Sequence, residues 1–188
     1  MISHMDHYQD IRLLPDAEFS LQQLMSALFA KLHRALVQIN SQRVGVSFPQ
    51  VKGDLGNTLR LHGSAHDLAL LQQQPWLKGM RDHIELGEIC PVPPSVRYRT
   101  VRRVQVKSSA ERLRRRSVKK GWLSEEQARR QISVSAEQRS QLPYVQLKSA
   151  STGQAFPLFI AHGPLRDSAS EGDFSAYGLS AQATVPWF

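Results

Sequence analysis

The segment Leu21–Ile39 sets the first constraint on the fold. Leu24, Met25, Leu28, Leu32, Ala35, Leu36 and Ile39 recur at the i, i+3, i+4 spacing that makes one face of an α-helix apolar. That face must be buried against another layer, and the flanking segments supply one. His7–Leu14 (HYQDIRLL) reads as a strand closed by Pro15, Val44–Phe48 as a second strand, and the alternating Thr58–Ser64 (TLRLHGS) as a third. Turn-forming residues fill 49–57. Ala65–Ile84 is helix-like but interrupted by Pro75, and Leu86–Cys90 reads as a short fourth strand before the linker Pro91-Val92-Pro93-Pro94. The order is βαββαβ, the ferredoxin-like pattern of an α+β fold. Many unrelated functions use it, so the fold alone does not name one.

The rest of the chain is less regular. Tyr98–Lys107 reads as a strand with TVRRVQV at its centre. The stretch 108–121, SSAERLRRRSVKKG, reads as a helix. Ser108 and Glu111 have capping-box spacing, and Gly121 stands where helices commonly stop. A second helix starts at Ser124, with Gln127 as its capping-box partner. Tyr144–Ser149 and Phe156–His162 read as a hairpin around Ser151-Thr152-Gly153, and 163–174 as loop. Residues 1–4, ahead of a second methionine at Met5, are expected to be a cloning remnant.

Charge divides the chain at the same place. Residues 1–93 carry a net charge of −1 and residues 94–188 a net of +9. Solubility does not require that asymmetry, whereas an anionic partner of the second half does. Six cations fall in the nine residues from Arg112 to Lys120. At 100° per residue, Arg112, Arg115, Arg116, Lys119 and Lys120 occupy an arc of about 140°, with Arg114 outside it. A solvated face, a localisation signal, a surface for an acidic protein and a surface for RNA all fit such a run. The single cysteine, Cys90, excludes an internal disulfide and fits a reducing cytoplasm. No apolar run reaches the ~18 residues of a membrane span, and no signal peptide is visible.

Metal chemistry lacks its motifs: there is no HExxH, no CxxC and no clustered acidic set. A phosphate-cradling GxxxxGK[ST] loop and a GxSxG elbow are absent too. A nuclease that needs no metal asks less of a sequence. RNA carries its own nucleophile, the 2′-hydroxyl, and the protein must deprotonate it, align it and stabilise the developing charge. Histidine suits the base role. Of His4, His7, His33, His62, His66, His83 and His162, the candidate with the most suggestive position is His33. It lies about 120° from Leu21 on the helical wheel, beside Phe29 and at the border of the apolar stripe.

Five segments, in order, carry a resemblance. LMSALFAKLHRALV, RRVQVKSSAERLRRR, LKSASTGQAFPLFIAHGPL, FSAYGLS and the terminal VPWF are similar to the CRISPR repeat-processing endoribonucleases of subtype I-F, the Csy type, over about residues 5–188. The resemblance implies an enzyme that cuts CRISPR precursor RNA at the 3′ base of the repeat hairpin, without cofactor or metal. It also implies a 2′,3′-cyclic phosphate product that stays bound and joins the other subunits of the subtype I-F surveillance complex. By motif, His33 corresponds to the catalytic histidine, Ser149 to the serine that holds the ribose, and Tyr177 to the tyrosine that positions the histidine. Ser151 and Thr152 match residues near the scissile phosphate. Phe156 matches an aromatic that stacks on the terminal base pair of the stem.

Arg103 and Gln105 match base-reading residues, consistent with arginine's fork for guanine and glutamine's pairing with adenine. Arg112, Arg115, Arg116, Lys119 and Lys120 would then line the major groove of the stem and contact its phosphates. Lys119 and Lys120 stand where the family pattern has arginines, and Ala155 where it has a bulkier polar residue. The expected organisation is a ferredoxin-like domain over 5–93 and a basic RNA-hairpin-binding domain, carrying the arginine-rich helix, over 94–188. The competing reading is a non-catalytic RNA-hairpin-binding protein.

Overall fold

A computed structural model of the chain describes residues 5–105 and 110–188. Strand β1 (His7–Leu13) buries Gln9, Ile11 and Leu13 on alternate positions. Helix α1 (Leu21–Gln38) starts on a reciprocal cap: the Gln23 amide donates to Ser20 Oγ at 3.2 Å and the Ser20 amide donates to Gln23 Oε1 at 2.9 Å. It stops at Asn40, whose φ of 48° lies in the left-handed region. The Asn40 and Ser41 amides donate to the Val37 and Leu36 carbonyls at 3.1 Å each, which closes the last turn. Between these ends α1 buries Leu24, Met25, Leu28, Phe29, Leu32, Ala35 and Leu36.

The chain continues through β2 (Gly45–Ser47), β3 (Thr58–Gly63), α2 (Ala65–Gln72), β4 (Ile84–Leu86) and β5 (Cys90–Pro91). The sheet runs β2-β3-β1-β4 with every pairing antiparallel, and β5 also pairs with β1. That is the arrangement a βαββαβ chain gives when each helix carries it past one strand. Both helices pack on β1.

Two local expectations need correction here. Helix α2 ends at Gln72, before Pro75, and turns plus a short 3₁₀ segment (Arg81–His83) occupy the remainder of the expected helix. The expected fourth strand over Leu86–Cys90 is instead the pair β4 and β5. Its break is at Gly87, whose amide donates to the Asp10 carbonyl at 2.8 Å.

The second half contributes β6 (Arg97–Arg99), β7 (Val101–Val104), α3 (Ala110–Lys119), α4 (Glu125–Ser140), β8 (Tyr144–Lys148), β9 (Ala155–His162) and β10 (Val185–Trp187). The single strand expected over Tyr98–Lys107 divides at buried Thr100. Strand β6 pairs with β10, a strand not expected from local residue pattern, while β7 joins the sheet β7-β9-β8. Helices α3 and α4 pack on each other. Ser124 and Gln127 form the expected cap on α4, and Gly121, with φ 68°, ends α3. Ser108, expected to cap α3, lies outside the described residues.

Several seams join the halves: Arg60, for example, donates to the Phe188 carbonyl at 3.0 Å, and two others flank the histidine-bearing helix α1 and the edge of the sheet. Val46 on the edge strand β2 donates its amide to the Gly178 carbonyl at 2.9 Å, so that edge is covered. On the other side, α1 is stitched to β8: the Gln146 amide donates to Ser26 Oγ at 2.9 Å and Gln22 Nε2 donates to the Tyr144 carbonyl at 2.7 Å. One buried apolar cluster runs from Ile11 and Phe29 through Val101, Leu158 and Val185. Among the described residues, no helix is long and apolar enough to cross a membrane.

Candidate active site

The histidines sort by environment. His62 is fully buried and holds a 2.8 Å hydrogen bond to Ser47 Oγ; burial, with Arg60 nearby, pushes its pKa down to about 3. His162 sits edge-on to Phe48 and Trp187, and burial with Arg99 nearby lowers its pKa to about 4. Both stay neutral near pH 7; His62 is fully buried, and His162 is half-buried against the core residue Phe48. His7 pairs with Asp6 at 2.9 Å and His83 with Asp16 at 3.0 Å, His66 is exposed, and His4 lies outside the described residues. His33 alone among those described lines a large cavity.

That cavity, about 920 Å³, lies between α1 and the β8–β9 turn. Ala27, Ala30, His33 and Val37 form its helical wall, and Lys148, Ser149, Phe156 and Tyr177 face them. Tyr177 stacks on His33 with ring centroids 4.0 Å apart and 12° between planes, and continues onto Phe29 at 6.2 Å and 4°. The stack follows from the helix: Phe29 and His33 are four residues apart, hence neighbours on one face of α1, and one ring covers both.

The backbone of 175–178 fixes the histidine. Nδ1 of His33 lies 2.8 Å from the Ala176 carbonyl, which can only accept, so Nδ1 carries the proton and Nε2 of the neutral ring is the acceptor. Gly178 closes this turn with φ 70°, and its amide donates to Ser175 O at 2.8 Å. A Cβ at Gly178 would fall 2.7 Å from Val46 Cγ1. Glycine is therefore needed twice over, for the left-handed backbone and for the close approach to β2.

Ser149 sits at the end of β8, in a turn crowded with hydroxyls. Its Oγ shares a 3.1 Å hydrogen bond with Ser151 Oγ and accepts from the Thr152 amide at 3.3 Å. Its backbone is tied at both ends: its amide donates to Gln154 O at 2.9 Å and its carbonyl accepts from Gly153 N at 2.9 Å. Arg103, on β7, brings its guanidinium to 5.6 Å from the Phe156 ring centre and 5.7 Å from that of Tyr177. The structure thus gathers Arg103, His33, Ser149, Ser151, Thr152, Phe156 and Tyr177 from five parts of the chain. Gln105 is exposed one residue past β7.

The cations of α3 form a separate surface. Arg112, Arg115, Arg116, Lys119 and Lys120 are all exposed. A groove of about 560 Å³ between α3 and α4 is lined by Arg114, Arg115, Lys119 and Arg129, with Glu125 beside them. The wheel of α3 alone put Arg114 outside the cationic arc; packing against α4 puts it in this groove with Arg115, and Arg129 joins from the second helix. Sequence reasoning also missed Lys148 and Arg34 in the cavity wall. Lys148 was detectable, since it alternates with buried Leu147 on β8. The Ala176 carbonyl had no side-chain signal at all.

The chain is similar to known proteins over nearly its whole length. The family model described as "CRISPR-associated protein (Cas_Csy4)" matches residues 8–188. A relative from Escherichia coli (strain UTI89 / UPEC), named CRISPR-associated endonuclease Cas6/Csy4, is 54% identical over 184 residues, covering 98% of this chain and 100% of the relative. Another of the same name, from Pseudomonas aeruginosa (strain UCBPP-PA14), is 54% identical over 187 residues, again covering 98% and 100%. The chain therefore belongs to the Cas_Csy4 family of CRISPR-associated endonucleases.

Proposed function

We propose that the protein is a metal-independent endoribonuclease that cuts CRISPR precursor RNA at the 3′ base of each repeat hairpin. It leaves a 2′,3′-cyclic phosphate and keeps hold of the product, which it brings to the other subunits of the subtype I-F surveillance complex in the cytoplasm. The observation that carries this reading is His33: its Nδ1–H is fixed on the Ala176 carbonyl, its ring is clamped by Tyr177, and it lines the cavity that Ser149 and Phe156 also line.

In the reaction the 2′-oxygen of the nucleotide before the cut attacks phosphorus, and the 5′-oxygen of the next nucleotide leaves. One proton is lost from the 2′-hydroxyl and one is gained by the leaving oxygen. His33 Nε2 serves this transfer. Ser149 Oγ holds the ribose, and Tyr177 keeps the imidazole in plane. Ser151 and Thr152 sit by the scissile phosphate. Phe156 stacks beneath the last base pair of the stem, while Arg103 and Gln105 read bases low in it. Arg112, Arg115, Arg116, Lys119 and Lys120 take the stem phosphates, which gives orientation and affinity more than sequence choice. On this reading residues 94–188 supply most of the RNA grip and residues 5–93 supply the histidine.

The direct test is cleavage of a repeat hairpin in EDTA, beside the same RNA carrying a 2′-deoxy nucleotide before the cut. The expected result is cleavage of the first RNA alone. Tight binding with no cleavage of either RNA refutes catalysis and leaves a hairpin-binding protein.

A further inference from the structure

A second, smaller cleft adjoins the cavity, on the next face of α1. It has a volume of about 350 Å³, and Lys31, Arg34, Gln38, Gln74, Trp76 and Lys78 line it. Arg34 lines both this cleft and the His33 cavity, so the two are continuous along one wall. The helix explains the geometry: one residue beyond His33 the side chain has turned by about 100°, and Lys31 and Gln38 follow further round the same side.

The charge of this cleft is unusual for its surroundings. Residues 1–93 carry a net charge of −1, and several of their cations are committed to acids: Arg12 to Glu85, Arg43 to Asp67 and Arg60 to Asp10. Lys31, Arg34 and Lys78 have no ion-pair partner among the described residues, and no carboxylate lines the cleft. Lys31 is nonetheless held in place, because its Nζ donates to the Lys78 carbonyl at 2.7 Å. Three cations without ion-pair partners, brought together in the near-neutral half of a protein with no carboxylate facing them, form a site for an anion. The neighbouring Gln38 and Gln74 offer amide donors and acceptors that suit nucleotides better than an isolated phosphate.

We propose that this cleft holds the single-stranded RNA that continues 3′ of the cut. The inference rests on the endoribonuclease reading above. A strand leaving the cavity along the Arg34 wall meets Lys31 and Lys78 next. The cleft would hold the downstream segment in line before cleavage and release it afterwards, once that segment is no longer joined to the tightly held hairpin.

The test uses the full chain and two non-cleavable RNAs with a 2′-deoxy nucleotide before the cut. One ends a single nucleotide past the cut, and the other continues with a ten-nucleotide unpaired 3′ extension. For the wild type, the extension is expected to tighten binding by about tenfold at low salt and to steepen the salt dependence by about 2, which corresponds to three phosphates on a single strand. In Lys31→Ala/Lys78→Ala the increment disappears while affinity for the short RNA stays at the wild-type value. In Lys31→Arg/Lys78→Arg the increment remains. Equal wild-type affinity for the two RNAs overturns the proposal, and so does equal loss for both RNAs in the alanine variant. No binding of the short hairpin by the wild type would instead overturn the endoribonuclease reading.

Discussion

His62 makes the acid stability of this protein calculable. Its ring is fully buried, and its pKa falls from the ordinary 6.5 to about 3 on folding. Below pH 6.5 the unfolded chain takes up a proton at this position that the folded chain refuses. By linkage, stability present above pH 6.5 is lost as the pH falls, at about 1.4 kcal/mol per pH unit, until the folded ring itself titrates. Between pH 7.5 and pH 5 the loss from His62 is about 2 kcal/mol. His162, lowered to about 4, adds a similar amount over the same window. Together they remove a large part of the 5–15 kcal/mol typical of a folded domain.

Other groups also titrate in this window, so the measurement must be a difference. Urea unfolding of the wild type and of His62→Gln at pH 7.5, 6 and 5 provides it. The variant loses stability at pH 7.5, because glutamine packs poorly in that site. Its decline from pH 7.5 to pH 5 is shallower than the wild type's by about 2 kcal/mol. Parallel declines for the two proteins would show that His62 is protonated or solvated in the fold, and would refute the reasoning. The same argument keeps His62 and His162 out of the chemistry: a ring that stays neutral down to about pH 4 takes a proton too reluctantly to serve a reaction at pH 7.

Four further outcomes are expected. His33→Ala abolishes cleavage, a loss of about 10²-fold or more, with hairpin affinity unchanged in a filter-binding assay; cleavage at the wild-type rate would remove His33 from the mechanism. Tyr177→Phe keeps the ring stack and most of the single-turnover rate, whereas Tyr177→Leu loses the stack and cuts at least about tenfold more slowly with little change in affinity. Gly178→Ala puts a methyl group 2.7 Å from Val46 Cγ1 at a left-handed backbone position, and lowers stability by about 1–3 kcal/mol in chemical denaturation. Arg115→Ala with Arg116→Ala weakens hairpin binding and flattens its salt dependence by about 2, and unchanged affinity would mean that α3 does not face the RNA.

The sheet was legible because its signals are local. The stripe on α1, the alternation of Thr58–Gly63 and the turn residues between them each concern residues near in sequence, and βαββαβ leaves little freedom in strand order. Local signals failed where a partner strand decides. β10 has only three residues, one of them proline, and exists because Arg97–Arg99 lies beside it. The break at Thr100 is equally non-local, since β6 and β7 are pulled to different sheets by β10 and β9.

The residues of the candidate site divide in the same way. Residue types and the five family segments already named His33, Ser149, Tyr177, Phe156 and Arg103, because chemistry and kinship are written in side chains. What the sequence could not hold is the relation between them. His33 and Ala176 are 143 positions apart, and their hydrogen bond needs a left-handed glycine pressed against β2. Arg34 and Lys78, separated by 44 positions, form one cleft only because the turn after α2 folds back on α1. Periodicity, capping and charge act over a few residues and were fixed by the sequence. Which nitrogen of His33 carries the proton, and which cations share a groove, depend on distant segments meeting at ångström separations, and only tertiary packing sets those.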